Sequence, residues 1–423
     1  MPDVTGMALD EIAEQAAAPG LGEGLVRPHY SGWGVNSLPA SAAYWLELPP
    51  MNGQQALADA LLDRLPGPYT HVIHLLLDGL GYRLFRSLQQ FDPWPELLDQ
   101  GLLAALTSVA PSTTSAALTT LWTGTCPAEH GVAGYELFLR EYSLVANMIT
   151  HTPAAFQGDT GGLRRAGFRP EAFLPVSTFG PYLRRHGVTP YAFQPAYISG
   201  SGLSQMLLSE VEPLPYRTLS DLTISLRDLL HARPRERSYI YLYWPEIDSL
   251  SHRFGPDDER VALEFRQFSY QLARLLELLR AGAPSGTLFL MTADHGQIAT
   301  PRDPNLELRN HLPFVEMLAM LPSGEQRLPY LFLRPGRQEE AAAYVEEHWP
   351  GQFRMVSAER LLASGLLGPG EVYSRLPSRL GDAVLIPQGN AYLWWGQGDN
   401  PLLGRHGAFS PEEMLVPFFA LEM

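Results

Sequence analysis

The sequence predicts an α/β protein built on a central, mainly parallel β-sheet with helices on both faces. Three short apolar runs carry this prediction, and each ends in acidic residues: "HVIHLLLDGLG" (71–81), "SYIYLYWPEID" (238–248) and "GTLFLMTADHG" (286–296). Continuous apolar runs are typical of strands that are buried on both faces of a parallel sheet. Long helical patterns lie between them, such as residues 258–282, which end at a glycine. This alternation indicates a doubly wound α/β sheet.

The length of the chain indicates more than one folding unit. With 423 residues, the chain is longer than a domain with a single hydrophobic core usually is. A large domain with an insertion, or two domains, is therefore expected. We assign residues 1–300 and 401–423 to the α/β core, with residues 1–45 as an N-terminal extension. Residues 301–400 are rich in Pro and Gly and contain short elements. They are predicted to form a small α+β insertion or cap subdomain.

Composition excludes several classes of partner and site. The formal charge of -15 argues against a nucleic-acid polymer as partner. The single cysteine, Cys126, excludes an intramolecular disulfide and a thiolate metal cluster, so His, Asp or Glu must hold any metal. The first twenty residues lack the pattern of a signal peptide, and no apolar stretch reaches the length of a membrane span. We therefore expect a cytoplasmic protein without a membrane partner, and its oligomeric state stays open.

Acidic residues stand at or just beyond the ends of the three apolar runs, at Asp78, Asp248 and Asp294. Ligands of open parallel sheets bind beyond the carboxyl ends of the strands, so these carboxylates are expected to converge at one edge of the sheet. Three uncompensated anions so close together are unfavourable, and bound cations would offset their charge. Asp78 by itself also fits the role of a helix N-cap after a strand.

Three histidines accompany the acids. His252 stands four residues after Asp248 in "DSLSH", His295 directly follows Asp294, and His406 lies in "GRHGAF". His and Asp without Cys suit Zn²⁺, with Mn²⁺ or iron as alternatives, and six side chains suffice for two metal ions with positions left open for a substrate. Taken singly, "ADHG" also fits a turn and His406 an ordinary loop histidine. The joint pattern is what indicates a dinuclear site.

The stretch "SVAPSTTSAALTTLWTG" (108–124) is crowded with hydroxyl groups. Residues 111–113 supply capping chemistry, and a helix is expected over about residues 115–123 with a stop at Gly124. Thr114 would lie at or beside the N-cap, where free N–H groups and the positive end of the helix favour an anion. A hydroxyl there, with a metal beside it, can ionise and attack phosphorus. The commoner role of such a residue is to cap the helix.

Taken together, these stretches resemble the alkaline phosphatase superfamily, and within it the nucleotide pyrophosphatase/phosphodiesterase type. The resemblance covers residues 71–417 in the family's order, in the segments "LLLDGLG", "APSTTSAALTTLWTGTCPAEHGVAGY", "PEIDSLSHRFGP", "TADHG" and "GRHGAFSPEEMLVP". It implies an alkaline-phosphatase-like fold with a central, mainly parallel sheet flanked by helices. That expectation agrees with the strand pattern.

The resemblance also implies a role for each site residue. The two implied sets of metal ligands are Asp248, His252 and His406 for one ion, and Asp78, Asp294, His295 and the nucleophile oxygen for the other. The nucleophile aligns with Thr114, nine residues before the threonine of the pair Thr123-Gly124. In the implied mechanism, the Thr114 alkoxide displaces the leaving group, and water then hydrolyses the phosphothreonine.

Two positions depart from the family pattern. Eukaryotic-type members carry an asparagine after the nucleophile that helps to hold a phosphoryl oxygen, and the position that we align with it is Ala117. The usual glycine of a "GH" pair is Ser251. The sulfatase branch is disfavoured, because Cys126 is followed directly by Pro127 and the arginine of that pattern is absent.

The predicted function is that of a two-metal hydrolase of phosphate esters, with two divalent ions as cofactors and Zn²⁺ as the first choice. A phosphodiesterase or nucleotide pyrophosphatase that forms a phosphothreonine fits best, with a small phosphorylated substrate such as a nucleotide. A phosphomonoesterase, a phosphonate hydrolase or a mutase on the same site is the alternative among enzymes. A catalytically silent metal-binding protein is the alternative from another class, and Ala117 is the observation that favours it. The sequence assigns no further substrate-binding residue.

Overall fold

The computed structural model describes residues 3–16, 24–51, 53–156, 161–282, 284, 286–396 and 398–423. Residues 1–2 and 17–23 of the predicted N-terminal extension therefore lie outside the described residues, and so does residue 397 of the predicted insertion. In the described part of the chain, no helix is both long enough and apolar enough to span a membrane.

The strands lie between residues 71 and 422. In chain order they are β1 (His71–Leu77), β2 (Leu102–Thr107), β3 (Glu136–Leu139), β4 (Leu144–Asn147), β5 (Thr152–Pro153), β6 (Thr189–Pro195), β7 (Glu212–Tyr216), β8 (Ser238–Trp244), β9 (Thr287–Thr292), β10 (Ile298–Ala299), β11 (Leu318–Glu325), β12 (Leu328–Leu333), β13 (Phe353–Ser357), β14 (Ala383–Pro387), β15 (Gly404–Arg405) and β16 (Leu415–Glu422).

The helices alternate with these strands. In chain order they are α1 (Thr5–Ala16), α2 (Leu38–Trp45), α3 (Asp59–Leu62), α4 (Tyr82–Leu88), α5 (Trp94–Gln100), α6 (Thr114–Thr123), α7 (Pro127–His130), α8 (Gly162–Arg165), α9 (Phe179–Arg185), α10 (Gly202–Leu207), α11 (Leu219–Ala232), α12 (Glu246–Phe254), α13 (Glu259–Gly282), α14 (Leu312–Met317), α15 (Gln338–His348), α16 (Ala358–Ala363), α17 (Leu376–Leu380) and α18 (Pro411–Met414).

The central sheet has the strand order β2-β16-β9-β1-β8-β6-β7. Only β16 runs antiparallel to its neighbours β2 and β9, and the other strands of this sheet run parallel to one another. The strands β1, β8 and β9 are buried along their full length, which explains why each reads as a continuous apolar run. The predicted fold, a mainly parallel sheet flanked by helices, is confirmed.

The register of the three innermost strands aligns their carboxyl ends. Leu77 of β1 pairs with Trp244 of β8, and Leu76 pairs with Thr292 of β9. The chain segments that follow these strands therefore leave the sheet side by side. This alignment brings the acidic residues after all three strands to one edge, which is where a doubly wound sheet binds its ligands.

A second sheet has the strand order β13-β14-β12-β11-β3-β4-β5. Its first four strands lie within the predicted insertion, residues 301–400, and enclose an apolar core with helices α14 and α15. Its last three strands come from residues 136–153, which the sequence interpretation assigned to the α/β core. The second sheet thus extends beyond the predicted insertion, whose boundaries at 301 and 400 stay a prediction.

Candidate active site

The three predicted acids follow the three innermost strands and lie next to one another. The backbone N–H of Asp78 donates to the carbonyl of Trp244 at 3.0 Å, and the N–H of Asp248 donates to the carbonyl of Asp78 at 3.1 Å. Oδ1 of Asp294 accepts from the N–H of Gly79 at 3.2 Å. The turns after β1, β8 and β9 are therefore bonded directly to one another.

The carboxyl groups of Asp78 and Asp294 are buried, and one oxygen of Asp294 is unpaired. Among the described residues, Oδ2 of Asp294 has no hydrogen-bond partner. Burial raises the pKa of Asp78 well above its ordinary value, and the carboxylates of Asp294 and Asp248 raise it further. Burial also raises the pKa of Asp294, against the lowering effect of His295. A cation between these carboxyls would compensate their charge, so their environment fits a metal site.

The three histidines present the same ring nitrogen to the site. Nδ1 of His252 lies 2.9 Å from the carbonyl oxygen of Gly404, and Nδ1 of His406 lies 3.0 Å from that of Ser112. Nδ1 of His295 lies 3.1 Å from the carbonyl oxygen of the following residue. These contacts assign the proton to Nδ1 and leave the Nε2 lone pair as a ligand.

Burial lowers the pKa of His406 well below its ordinary value, and the neighbouring His295 and His252 lower it further. His406 is therefore neutral, which is the form of imidazole that binds metals. Its Nε2 atom lies 3.2 Å from Nε2 of His252. Two lone pairs facing each other at this distance repel each other, and a cation that both nitrogens bind removes that repulsion.

Donor atoms gather in two adjacent groups that suit a metal ion. One group contains Asp78, Asp294 and His295, and the other contains Asp248, His295 and His406, with the donor atoms of each within 4.8 Å of one another. Nε2 of His252 lies beside the second group, 3.4 Å from Oδ1 of Asp248. The division implied by the resemblance placed His295 in one set alone, whereas in this structure it adjoins both.

Thr114 is the first residue of α6 and lies at the edge of the donor groups. Its Oγ1 atom is 3.0 Å from Nε2 of His295 and 3.4 Å from Oδ1 of Asp78. The predicted helix starts one residue earlier than expected and ends at Gly124, which adopts a φ of 70°. Thr113 is the N-cap residue. Thr114 therefore occupies the first helical position, beside the N-cap as predicted.

Burial distinguishes Thr114 from the other hydroxyl residues of the stretch. Thr114 is partly exposed, whereas the remaining ones are buried: Ser108, Ser112, Thr113, Ser115, Thr119, Thr120 and Thr123. Several of these bond to backbone carbonyls, as Thr119 does to Ser115 at 2.6 Å and Thr123 does to Thr119 at 2.7 Å. Their hydroxyls are structural, and Thr114 alone among them can meet a ligand.

Ala117 does not occupy the position that the sequence interpretation expected. It is completely buried in the hydrophobic core, so position 117 has no space open to a ligand. Tyr135 lies beside Glu325, because its backbone N–H donates to Oε1 of that residue at 2.6 Å, and Tyr135 is 41% exposed. The expected asparagine therefore has no counterpart at Ala117.

Sequence reasoning missed the side chains that hold the acids in place. The hydroxyl of Tyr243, on β8, donates to Oδ2 of Asp78. The amide of Gln297 donates to Oδ1 of Asp248. Both residues lie within five positions of a predicted ligand in the sequence. No signal in the sequence distinguishes them from their neighbours, because only the pairing of strands shows which side chains face the site.

A family comparison decides the identity of the chain. The sequence model of the Type I phosphodiesterase / nucleotide pyrophosphatase family matches residues 72–408, a range that includes every residue of the site. The chain belongs to this family. It is accordingly a metal-dependent phosphoric ester hydrolase, as the sequence predicted.

Solved structures share the fold of this family member. Murine ectonucleotide pyrophosphatase/phosphodiesterase 5, solved as an inactive variant in complex with AMP, is 17% identical with a TM-score of 0.63, over 83% of this chain and 87% of the murine chain. The human protein of the same name is 16% identical with a TM-score of 0.62, over 83% and 87% of the two chains.

Phosphonoacetate hydrolase from Sinorhizobium meliloti 1021, solved in complex with phosphonoformate, is also similar. It is 17% identical with a TM-score of 0.59, over 82% of this chain and 89% of the hydrolase. At these identities the likeness shows the fold alone. None of the curated proteins compared with this chain matches it.

Proposed function

We propose that this chain hydrolyses small phosphodiesters or pyrophosphates through a phosphothreonine intermediate on Thr114, with two divalent metal ions and Zn²⁺ as the first choice. One observation carries the proposal. Among the hydroxyls of residues 108–123, only that of Thr114 is partly exposed, and it lies 3.0 Å from His295 and 3.4 Å from Asp78.

The surroundings of Thr114 favour attack by its oxygen on phosphorus. Its hydroxyl proton faces Nε2 of His295 and Oδ1 of Asp78, which both attract it. Thr114 is the first residue of α6, and the positive end of that helix favours a phosphoryl anion beside it. In the attack, the bond from Oγ1 to phosphorus forms, and the bond from phosphorus to the leaving oxygen breaks. Water then cleaves the phosphothreonine and restores Thr114.

The donor set fits two divalent ions. Asp78, Asp294 and His295 would hold one ion, and Asp248, His252 and His406 would hold the other, with His295 within reach of both. Such ions, when bound, lower the pKa of a coordinated hydroxyl and offset the negative charge of the phosphoryl group. Nitrogen and carboxylate oxygen donors without sulfur suit Zn²⁺, and they also accept Mn²⁺ or iron.

The comparisons support a small substrate. The murine relative was solved with AMP, and the bacterial hydrolase with phosphonoformate. We therefore propose a nucleotide-sized phosphodiester or pyrophosphate. The bacterial neighbour keeps a second candidate open, a phosphonate as substrate of the same site. Parallel rate measurements with a diester, a monoester and phosphonoacetate separate these candidates.

Replacement of the nucleophile tests the proposal. Thr114→Ala is expected to lower turnover of bis-p-nitrophenyl phosphate and of a nucleotide diester by roughly 10³-fold or more, because a nucleophile acts as a unit with its site. Thr114→Ser keeps the hydroxyl and is expected to retain part of the activity. Thr119→Ala removes a buried hydroxyl of the same helix and is the matched control.

Undiminished turnover of both substrates by Thr114→Ala would overturn the assignment of the nucleophile. Two tightly bound ions without turnover on diesters, monoesters and phosphonates would instead identify a metal-binding protein without catalysis. Covalent labelling of Thr114, detected by mass spectrometry after rapid quenching of the diester reaction, supplies an independent measurement.

A further inference from the structure

The turn between β11 and β12 of the second sheet, residues 325–327, lies against the segment that carries His406. Three consecutive side chains make the contact. The side-chain carbons of Glu325 adjoin Gly407 so closely that a Cβ atom on Gly407 would lie 2.6 Å from them. Gly407 also has a φ of 119°, which other residues rarely adopt. Gln326 and Arg327 bind the chain on either side of this glycine.

Gln326 holds the residue that precedes His406. Its Oε1 atom accepts a hydrogen bond from Nε of Arg405 at 2.6 Å. Arg405 is 1% exposed, and its guanidinium also donates to Thr300 at 2.7 Å and lies 3.9 Å above the ring of Tyr392. Arg405 is therefore fixed by contacts in several directions, and the backbone that enters His406 is fixed with it.

Arg327 holds the segment that follows His406. Its guanidinium forms a two-pronged ion pair with Glu413, at 3.1 Å to Oε1 and 2.6 Å to Oε2. Both side chains are fully buried. The same carboxylate accepts the N–H of Ala408 at 3.0 Å and of Ser410 at 3.3 Å. A buried ion pair is tolerated only when its remaining groups are hydrogen-bonded, and here the backbone after His406 supplies those bonds.

The remaining nitrogen of the Arg327 guanidinium, Nη1, binds the segment that follows β14 of the second sheet. It donates to the carbonyl of Gly389 at 2.9 Å and to that of Ala391 at 2.5 Å. The pair thus spans the second sheet and the segment of the α/β core that leads into β16.

The segment around Glu413 also contacts the backbone next to His295, a second histidine of the site. The N–H of Gly296, directly after His295, donates to the carbonyl of Glu413 at 2.9 Å. A Cβ atom on Gly296 would lie 2.0 Å from the carbonyl oxygen of Glu412, so the two backbones touch. The rings of His295 and His406 stack with centroids 3.8 Å apart. Movement of the segment around Glu413 would therefore displace both rings.

We infer that residues 325–327 position His406 for metal binding, and that the Arg327–Glu413 pair is the main support. This inference rests on the proposed two-metal function, because the position of Nε2 of His406 affects metal binding only if that atom is a ligand. Arg327 and Gln326 touch no substrate and are positioning residues. The second sheet, through this turn, supports the metal centre without supplying a ligand to it.

Titration of Zn²⁺ into the metal-free protein tests this inference. Arg327→Lys keeps the charge but cannot form the two-pronged pair. It is expected to weaken the Zn²⁺-binding step that involves His406 by roughly 10- to 100-fold, as loss of groups that orient a ligand does. Gln326→Ala is a milder variant at a partly exposed side chain, and it is expected to weaken the same step by a smaller factor. Added Zn²⁺ should restore the activity of both variants.

Arg379→Lys is the matched control. Arg379 is 1% exposed and donates to the carbonyl of Gly131 at 2.6 Å, so its replacement also disturbs a buried arginine of the same part of the fold. It is expected to lower the melting temperature without changing Zn²⁺ affinity.

Unchanged Zn²⁺ affinity in both Arg327→Lys and Gln326→Ala overturns the inference and leaves the proposed function intact. Equal loss of affinity in Arg379→Lys also overturns it, because the effect would then be general destabilisation. If Arg327→Lys does not fold, the Gln326→Ala titration decides. A wild-type protein that hydrolyses no phosphate ester and binds no Zn²⁺ overturns the proposed function and this inference together.

Discussion

The Nε2 atoms of His252 and His406 face each other at 3.2 Å, although each ring bonds a backbone carbonyl through its Nδ1 atom. The two carbonyls belong to Gly404 and Ser112, which come from different parts of the chain. Their contacts orient the rings and direct two lone pairs at one point. This arrangement lowers the stability of the folded state without a cation and raises it with one. Metal binding and folding are therefore interdependent.

Metal addition is expected to stabilise the folded protein. A ligand that binds only the folded state adds about 2.7 kcal/mol at one hundred times its Kd. Thermal unfolding of the metal-free protein with and without Zn²⁺ should therefore show a clear rise in Tm. The rise should be much smaller in His406→Ala and in His252→Ala. His348→Ala, which replaces an exposed histidine of α15, should respond like the wild type. An equal rise in all four proteins would contradict the assignment of these ligands.

Removal of a buried charge should separate stability from metal binding. Asp294 is fully buried and burial raises its pKa, so its ionised form destabilises the metal-free fold at neutral pH. We expect Asp294→Asn to raise the free energy of unfolding of the metal-free protein by about 1–3 kcal/mol and to reduce the stabilisation by Zn²⁺, because one of the two proposed ions loses a ligand. Urea unfolding with a chelator and with Zn²⁺ measures both effects. A variant that is less stable than the wild type without metal would contradict this expectation.

The hydrogen bond that the Tyr243 hydroxyl donates to Asp78 should support the metal site. Tyr243→Phe leaves Oδ2 of Asp78 without this donor, and we expect roughly a 10- to 100-fold loss in metal affinity or activity. Tyr241→Phe is a matched control, because Tyr241 lies two residues earlier on β8 and its buried hydroxyl has no hydrogen-bond partner among the described residues. Zn²⁺ titration and kinetics should show little change in Tyr241→Phe. Equal effects in the two variants would mean that Tyr243 acts only through packing.

The buried carboxyl of Glu325 should make the stability of the metal-free protein depend on pH. Burial raises its pKa to about 8, against the lowering contacts from Thr113 and from the N–H of Tyr135. The pKa of Glu325 is higher in the folded state than in the unfolded state. Its stabilising contribution to the free energy of unfolding is therefore fully present at a pH below the unfolded pKa. It is lost as pH rises through about 8, at up to about 1.4 kcal/mol per pH unit.

Glu325→Gln keeps the acceptor for the N–H of Tyr135 and removes the charge. The variant should therefore lose less stability than the wild type between pH 5 and pH 8. Unfolding in urea at several pH values, with a chelator present, measures the difference. Parallel curves for the two proteins would contradict the assigned titration.

Much of the site follows from short-range patterns in the sequence. Asp78 and Asp294 were predictable because a strand buried on both faces reads as an apolar run, and the residue after it stands at the ligand-binding edge. The helix pattern placed Thr114 at or beside the start of α6, and the family resemblance selected it as the nucleophile by its spacing from Thr123-Gly124. The family resemblance added the order of the segments, and the match over residues 72–408 bears it out.

The short-range sequence patterns did not predict contacts between segments that are far apart in the chain. Strands β3 to β5, at residues 136–153, join a sheet whose other strands lie beyond residue 317, and such short strands carry no signal of their partner. The burial of Ala117 is a similar case, since its place in the core depends on which face of α6 packs inward. The pairing of Arg327 with Glu413 joins residues 86 positions apart.

The sequence by itself determined the fold class, the strand-end acids, the histidines that accompany them, and the hydroxyl at the start of α6. Those features depend on periodicity and local capping, which are properties of neighbouring residues. Only the tertiary structure decided how the side chains of the predicted ligands are oriented, that His295 adjoins both donor groups, and that the turn at residues 325–327 lies against the segment that carries His406. Orientation depends on hydrogen bonds between segments far apart in the chain, and the packing of the whole fold fixes those bonds.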